Sequence, residues 1–216
     1  MSRPEVTVTG AIRPSARGVA WTKDDPPGAE FAAIQLGSRR LRATGIAIGS
    51  DPEPYRLSFE LQTREEYITD RAIVETQGAG WTRRLEIQRG AAGAWEAATR
   101  STGQLDMPAA GGELAELQAA LDLDLGLSPV FNTMPVLRHG LHDGGSAKDL
   151  LMIWISVPDL SIHASPQRYT FLERCSDDRR LVRFSTVGPG EDFTADVQFD
   201  ADGLVIDYPG IARRIG

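Results

Sequence analysis

One cysteine, Cys175, stands among 216 residues. That scarcity excludes an internal disulfide and any zinc site built on cysteine. No residue next to Cys175 suggests an activated thiol, so a structural strand cysteine is the plain reading. Histidine is nearly as rare, with only His139, His142 and His163. Long apolar runs are missing as well. The longest, Leu150 to Ile155, is far too short to span a bilayer, and Met1 to Gly10 has no apolar core of the kind a secretory signal needs. A cytoplasmic chain without a transmembrane segment is therefore expected. Also absent are the Gly-x-Ser-x-Gly elbow, a phosphate-binding glycine loop, a dinucleotide fingerprint and a His-Glu-x-x-His helix. No catalytic residue and no cofactor is implied.

Positive charge is short, and unevenly so. The net charge is −7. Residues 1–108 hold 14 basic and 14 acidic side chains, whereas 109–216 hold 9 and 16. An acidic half repels a phosphate backbone, so nucleic acid is not an expected partner. The bases are arginines apart from Lys23 and Lys148. Apolar residues make up 41% and charged residues 25%, an ordinary balance for a folded domain. Neither a linker nor a repeat divides the chain, and one domain over 1–216 is expected.

What the sequence does have is two-residue alternation. Residues 1–30 alternate weakly at Val6 and Val8, then pass into a polar stretch ending in Asp24-Asp25-Pro26-Pro27-Gly28. Leu41 to Ile48 reads as a strand interrupted by Gly45, a glycine that marks a bulge or a close approach to the backbone. Leu57, Phe59 and Leu61 oppose Arg56, Ser58, Glu60 and Gln62. Residues 68–77 and 83–89 repeat the pattern less cleanly, which makes an antiparallel meander. Strands resume at 150–157, 160–163, 168–174, 181–187 and 193–199. Asp202-Gly203 supplies a hairpin turn into Leu204 to Tyr208. Ala109 to Ala120 is the best helix, from the spacing of Leu114, Leu117 and Leu121 and from Glu113 and Glu116 at its positive end. The expected fold is mainly β, within the β-rich α+β class. It is a single strongly curved antiparallel sheet forming a roll or incomplete barrel, with one short helix.

The chain is organised around Asp122 to Arg138. With Leu121, Leu123 and Leu125 on one face of a strand, Asp122 and Asp124 fall together on the other. Pro129 and Pro135 bias their predecessors to extended backbone, which argues against helix from Ser128 onward. The plain reading is a strand edge with solvated aspartates and an irregular loop. Two chemical readings compete with it. The two carboxylates, about 6.5–7 Å apart at Cβ, suit general acid/base work. A hydrolase or isomerase acting on a small molecule through Asp122, Asp124 and His139 is that alternative. His139, His142 and Asp143 with the same aspartates would make a mixed nitrogen and oxygen metal site, although solvated loop histidines are commoner. A binding role needs less, since a curved sheet offers a concave face that aromatic side chains can line. A peptide-binding scaffold is the third possibility.

The motif Asp122-x-Asp124-Leu125, Ser128-Pro129, Asn132-Thr133-Met134-Pro135 and Arg138 resembles the central signature of the bacterial "putative glycolipid-binding" family. Asp200, Gly203-Leu204-Val205 and Tyr208-Pro209-Gly210 are similar to its C-terminal signature. Trp21, Glu30, Gly93 to Trp95 and Tyr169 are weaker matches. Met134 stands where leucine is usual, and His139 where a second arginine is common. The resemblance implies a mainly β fold likened to lipoprotein and lipid carriers, and non-catalytic binding of an amphiphile such as a glycolipid. The residues expected to bind it are Asp122, Asp124, Asn132, Thr133, Arg138, Tyr169, Tyr208, Trp21 and Glu30. Arg138 would pair with an anionic group on the ligand. The structural alternative buries Arg138 against Asp122 or Asp124, with Asn132 and Thr133 tying down the loop.

Overall fold

The computed structural model describes residues 15–104, 106–188 and 193–216. The alternation expected at Val6 and Val8 lies outside them. Fourteen strands of the described residues form one curved, unclosed sheet. The first half is a meander: β1 (Ser15–Lys23), β2 (Gly28–Gly37), β3 (Arg40–Gly49), β4 (Tyr55–Thr63), β5 (Thr69–Gly78), β6 (Trp81–Arg89) and β7 (Trp95–Thr102). Each pairs antiparallel with the next. The chain then returns to the opposite edge. There β8 (Asp122–Leu125), β9 (Lys148–Ile155), β10 (Ile162–Arg174), β11 (Arg180–Thr186), β12 (Thr194–Phe199), β13 (Val205–Tyr208) and β14 (Ala212–Ile215) step back to the middle. β14 pairs with β1, joining the halves. Only β8 and β9 run parallel, which a connection long enough to hold the helix α1 (Thr133–Arg138) permits.

Alternation decides the faces. In β4, Tyr55, Leu57, Phe59 and Leu61 are buried while Arg56 and Glu60 are exposed. β2, β3, β5 and β6 follow the same alternation, so the meander has an apolar inner face and a mostly polar outer one, on which Phe31, Ile46 and Ile48 are exposed. Each such side chain, fully buried, contributes about 1.5–3 kcal/mol. The sheet curls until the far edge meets this inner face. Thr69 N donates to Leu121 O at 3.0 Å, and Thr76 Oγ1 donates to Pro158 O at 2.7 Å. Leu123, Leu125, Ile153 and Ile155 thereby enter one core with Leu57, Phe59, Val74 and Leu85. A second core collects Val136, Leu141, Tyr169, Val182, Phe184 and Val197. Strand β8 divides them, with its leucines in the first and its aspartates toward the second.

Gly45 marks a close approach rather than a bulge. The β3–β4 register runs through it without a shift, and a Cβ there would lie 2.3 Å from the Phe59 ring. That ring in turn meets Phe131 edge-on at 5.4 Å between centroids.

Three sequence expectations are corrected. Ala109 to Ala120 is not a helix and holds only a 3-10 turn at Ala115–Leu117. Gly111 and Gly112 weaken its start, and the segment bonds across the sheet instead. Trp95 N donates to Gln118 Oε1 at 3.0 Å, and Gly111 forms a bridge with Ser161. The short helix is α1, preceded by a 3-10 turn at Pro129–Asn132, in the stretch expected to be extended. Pro135 is its third residue, where no intrahelical N–H bond is lost, so the proline is compatible with the helix. Residues 15–30, read as mostly polar loop, carry β1 and the start of β2. Their flanking strands β14 and β3 hold weakly alternating sequence in the ladder.

Candidate functional site

Strand β8 places Asp122 and Asp124 on one face, as the alternation requires, but the two carboxylates do different things. Asp122 receives Arg138 Nη1 at 2.7 Å, and Arg138 Nη2 closes a second bond to its other oxygen. Both side chains are buried. Burial pushes the Asp122 carboxyl up, and Arg138 pulls it back. Helix α1 is what presents Arg138 to the strand. With both prongs on Asp122, Arg138 matches the structural alternative above.

Asp124 opens instead onto a cleft of about 530 Å³. Gln167 Nε2 donates to Asp124 Oδ2 at 2.6 Å, and Tyr169 OH donates to Gln167 Oε1 at 3.2 Å. Asn132 Nδ2 donates to Tyr169 OH at 2.9 Å, so the 3-10 turn, β10 and β8 share one polar chain. Burial raises the Asp124 carboxyl to about 6, against the pull of Gln167 and with a push from Asp122. Tyr169 and Tyr208 are both held well above the usual phenol range, first by burial. Asp124, Asn132, Gln167 and Tyr208 line the cleft with Ser128 and Ser165. Its apolar wall comes from Leu125, Leu127, Val157, Phe184, Phe193 and Ile211. Trp154 and Phe193 stay partly exposed there, and Pro26 and Asp51 reach it from turns of the meander. No lysine or arginine is among the described residues that line it.

The other expected binding residues lie elsewhere. Tyr169 is buried behind the cleft. Thr133 is fully buried and does not line it. Trp21 sits in the first core and donates Nε1–H to Val205 O at 3.0 Å. Glu30 is buried opposite Trp21, with Lys23 Nζ at 3.1 Å from one oxygen and Ser128 Oγ donating to the other at 2.7 Å. Burial raises its carboxyl, with Lys23 and Ser128 opposing. Glu30 therefore braces the loop that ends β8 without reaching the cleft itself. His139 caps α1, accepts Arg138 Nε–H at 3.4 Å and lies away from the cleft lining. Burial, Arg138 and Lys148 hold its imidazole low. Among the described residues no group of three histidine, cysteine or acidic side chains could hold a metal ion. Gln167 was absent from the sequence reading. The signal for it was there, since it falls two residues before Tyr169 on the same face of one strand.

The chain is thus a curved, unclosed and mainly antiparallel sheet with a cleft of mixed polar and apolar lining. The chain belongs to the family described as "Putative glycolipid-binding", whose model matches residues 18–214. Its fold is similar to the crystal structure of a DUF1089 family protein from Pseudomonas aeruginosa. That likeness has a TM-score of 0.63 and 23% identity, and covers 99% of this chain and 100% of the other. No curated protein matches. Among the described residues no helix is long and apolar enough to cross a membrane.

Proposed function

We propose that the cleft binds an amphiphile whose head group is uncharged and rich in hydroxyls, as in a glycolipid, and performs no catalysis. The observation that carries this is the split lining. Leu125, Leu127, Phe184 and Phe193 offer an apolar wall for an alkyl chain, and Asp124, Asn132, Gln167 and Tyr208 offer a polar end. Neither Asp124 Oδ1 nor the Tyr208 hydroxyl is engaged by another described residue. A sugar hydroxyl both donates and accepts, so it can satisfy a carboxylate and a phenol together. The volume falls within the range of small-molecule sites, about 300–1,000 Å³. An anionic head group would meet carboxylates and no free cation, because Arg138 is spent on Asp122. Desolvating a like-charge pair of this kind is unfavourable.

The test pairs native mass spectrometry of gently purified protein with titration by octyl glucoside and by laurate. The titration is read through the change in intrinsic tryptophan fluorescence that Trp154 at the cleft contributes and that Trp154→Phe abolishes. Co-purified neutral amphiphile and saturable binding of the glucoside, at least tenfold tighter than laurate (about 1.4 kcal/mol), are the expected results. Binding of neither probe overturns the cleft assignment. Preference for laurate overturns the head-group assignment alone.

A further inference from the structure

The two edges of the sheet are treated oppositely by the fold. At one edge β8 has every residue buried or half-buried, and Thr69 and Met134 stand beside it. At the other, β7 is exposed on both faces from Glu96 to Thr102. The chain turns away at Gly103, whose backbone approaches Gly80, and no described strand pairs with that edge beyond β6. The segment from Gly111 to Ala120 touches it only at the Thr99 side chain and at Trp95.

The direction of its free backbone groups can be read directly. Gly90 N donates to Ala94 O, so the even-numbered residues of this strand face β6. Trp95 N donates to Gln118 and so faces outward, and by alternation Ala97, Thr99 and Ser101 do too. Among the described residues none of those three outward positions has a backbone partner. An open strand of this length, with one acid, one base and no proline, is a template for another strand.

The charges say which strand. Arg100 lies directly opposite Arg84 in the β6–β7 ladder; Arg84 is paired with Glu75 and Glu86, whereas Arg100 has no ion pair among the described residues. Glu96 is held only by Gln88, whose Nε2 donates to one of its oxygens at 3.1 Å. Two copies of β7 placed antiparallel about a twofold axis at Ala98 put Glu96 of each opposite Arg100 of the other. The same register sets Ala97 against Thr99 as a hydrogen-bonded pair, using the outward backbone groups, and Ala98 against Ala98 at the centre. Small side chains there leave the backbones free to approach.

We infer that two copies of this chain join edge to edge through β7 in that register, extending one sheet across both. The proposal is independent of what the cleft holds. Sedimentation velocity of the full chain from about 1 to 100 µM checks it. The expected species is a dimer of twice 23.5 kDa. Arg100→Glu and Glu96→Arg each set like charges opposite one another twice per dimer, raising the dissociation constant at least about tenfold. The double swap restores the wild-type value. Ala97→Pro removes an outward N–H that β6 does not use, and gives monomer with an unchanged thermal melt. A wild type that stays monomeric throughout, a dimer that survives both Arg100→Glu and Ala97→Pro, or a double swap that fails to recover, each overturns it.

Discussion

Arg138 closes both guanidinium prongs on Asp122, with 6% and 1% of the two side chains exposed. The pair joins the only α-helix of the described residues to the edge strand of the sheet. Removing one partner leaves a buried charge without compensation, which costs about 3–5 kcal/mol. Arg138→Ala and Asp122→Ala are therefore each expected to lower the urea midpoint sharply. An apolar replacement of both, Asp122→Leu with Arg138→Met, is expected to recover most of the loss. Equal damage from the double variant would show that the pair is not the unit of stability.

Asp124 predicts a pH dependence. Its carboxyl moves from 3.8 in the open chain to about 6 in the fold. The folded state thus holds the proton more tightly, so this contribution is fully present below pH 3.8 and is lost as pH rises through about 6. The loss amounts to at most about 3 kcal/mol, reduced by whatever water the cleft admits. Asp124→Asn removes it while keeping an oxygen for Gln167. Relative to wild type, the variant is expected to gain stability between pH 4.5 and 7.5. Parallel curves for the two proteins would count against a raised Asp124.

The sequence made one half of this picture readable. Two-residue alternation located β3 to β6, β9, β11 and β12 closely and put Asp122 and Asp124 on one face, but it read the single strand β10, Ile162–Arg174, as two strands, 160–163 and 168–174, with a break at Ser165-Pro166. It could not say that one aspartate would be consumed by Arg138 and the other left in a cleft. That difference depends on where α1 docks, and the prolines at 129 and 135 pointed away from helix. The apparent helical spacing of Leu114, Leu117 and Leu121 was equally misleading, because Gln118 and Gly111 are tied to distant strands. β1 and β7 have weak patterns of their own. β1 is held on one side by β14 from the far end of the chain, and β7 by β6 alone among the described strands.

Lys23 and Glu30 form a second buried pair, with 6% and 0% of their side chains exposed. Burial already raises Glu30, and Lys23 is the largest influence opposing it. In Lys23→Met the carboxyl rises further. In acid, where it is neutral, it tolerates the change with little loss. As pH rises, ionising an unpaired buried Glu30 costs up to about 3–5 kcal/mol. The expected signature is a destabilisation that grows steadily with pH, measured by denaturant melts of variant and wild type. A loss independent of pH would mean that packing of the lysine stem, not its charge, matters.

Gly45 carries the last prediction, because its missing side chain is what lets the first core reach the cleft loop. A Cβ would sit 2.3 Å from two atoms of the Phe59 ring and 3.0 Å from Phe31 O. The ring has to turn, and turning breaks its edge-on contact with Phe131. Phe131 immediately precedes Asn132, which anchors the polar chain through Tyr169 to Asp124. Gly45→Ala is thus expected to cost about 1–3 kcal/mol by overpacking. It is also expected to weaken octyl glucoside binding, although the mutation lies outside the cleft lining. Gly90→Ala serves as the control, since its nearest neighbour is Ala94 O at 3.5 Å, and should stay within about 0.5 kcal/mol of wild type. If Gly45→Ala loses stability but binds the glucoside as before, the aromatic pair holds the core alone and does not position Asn132.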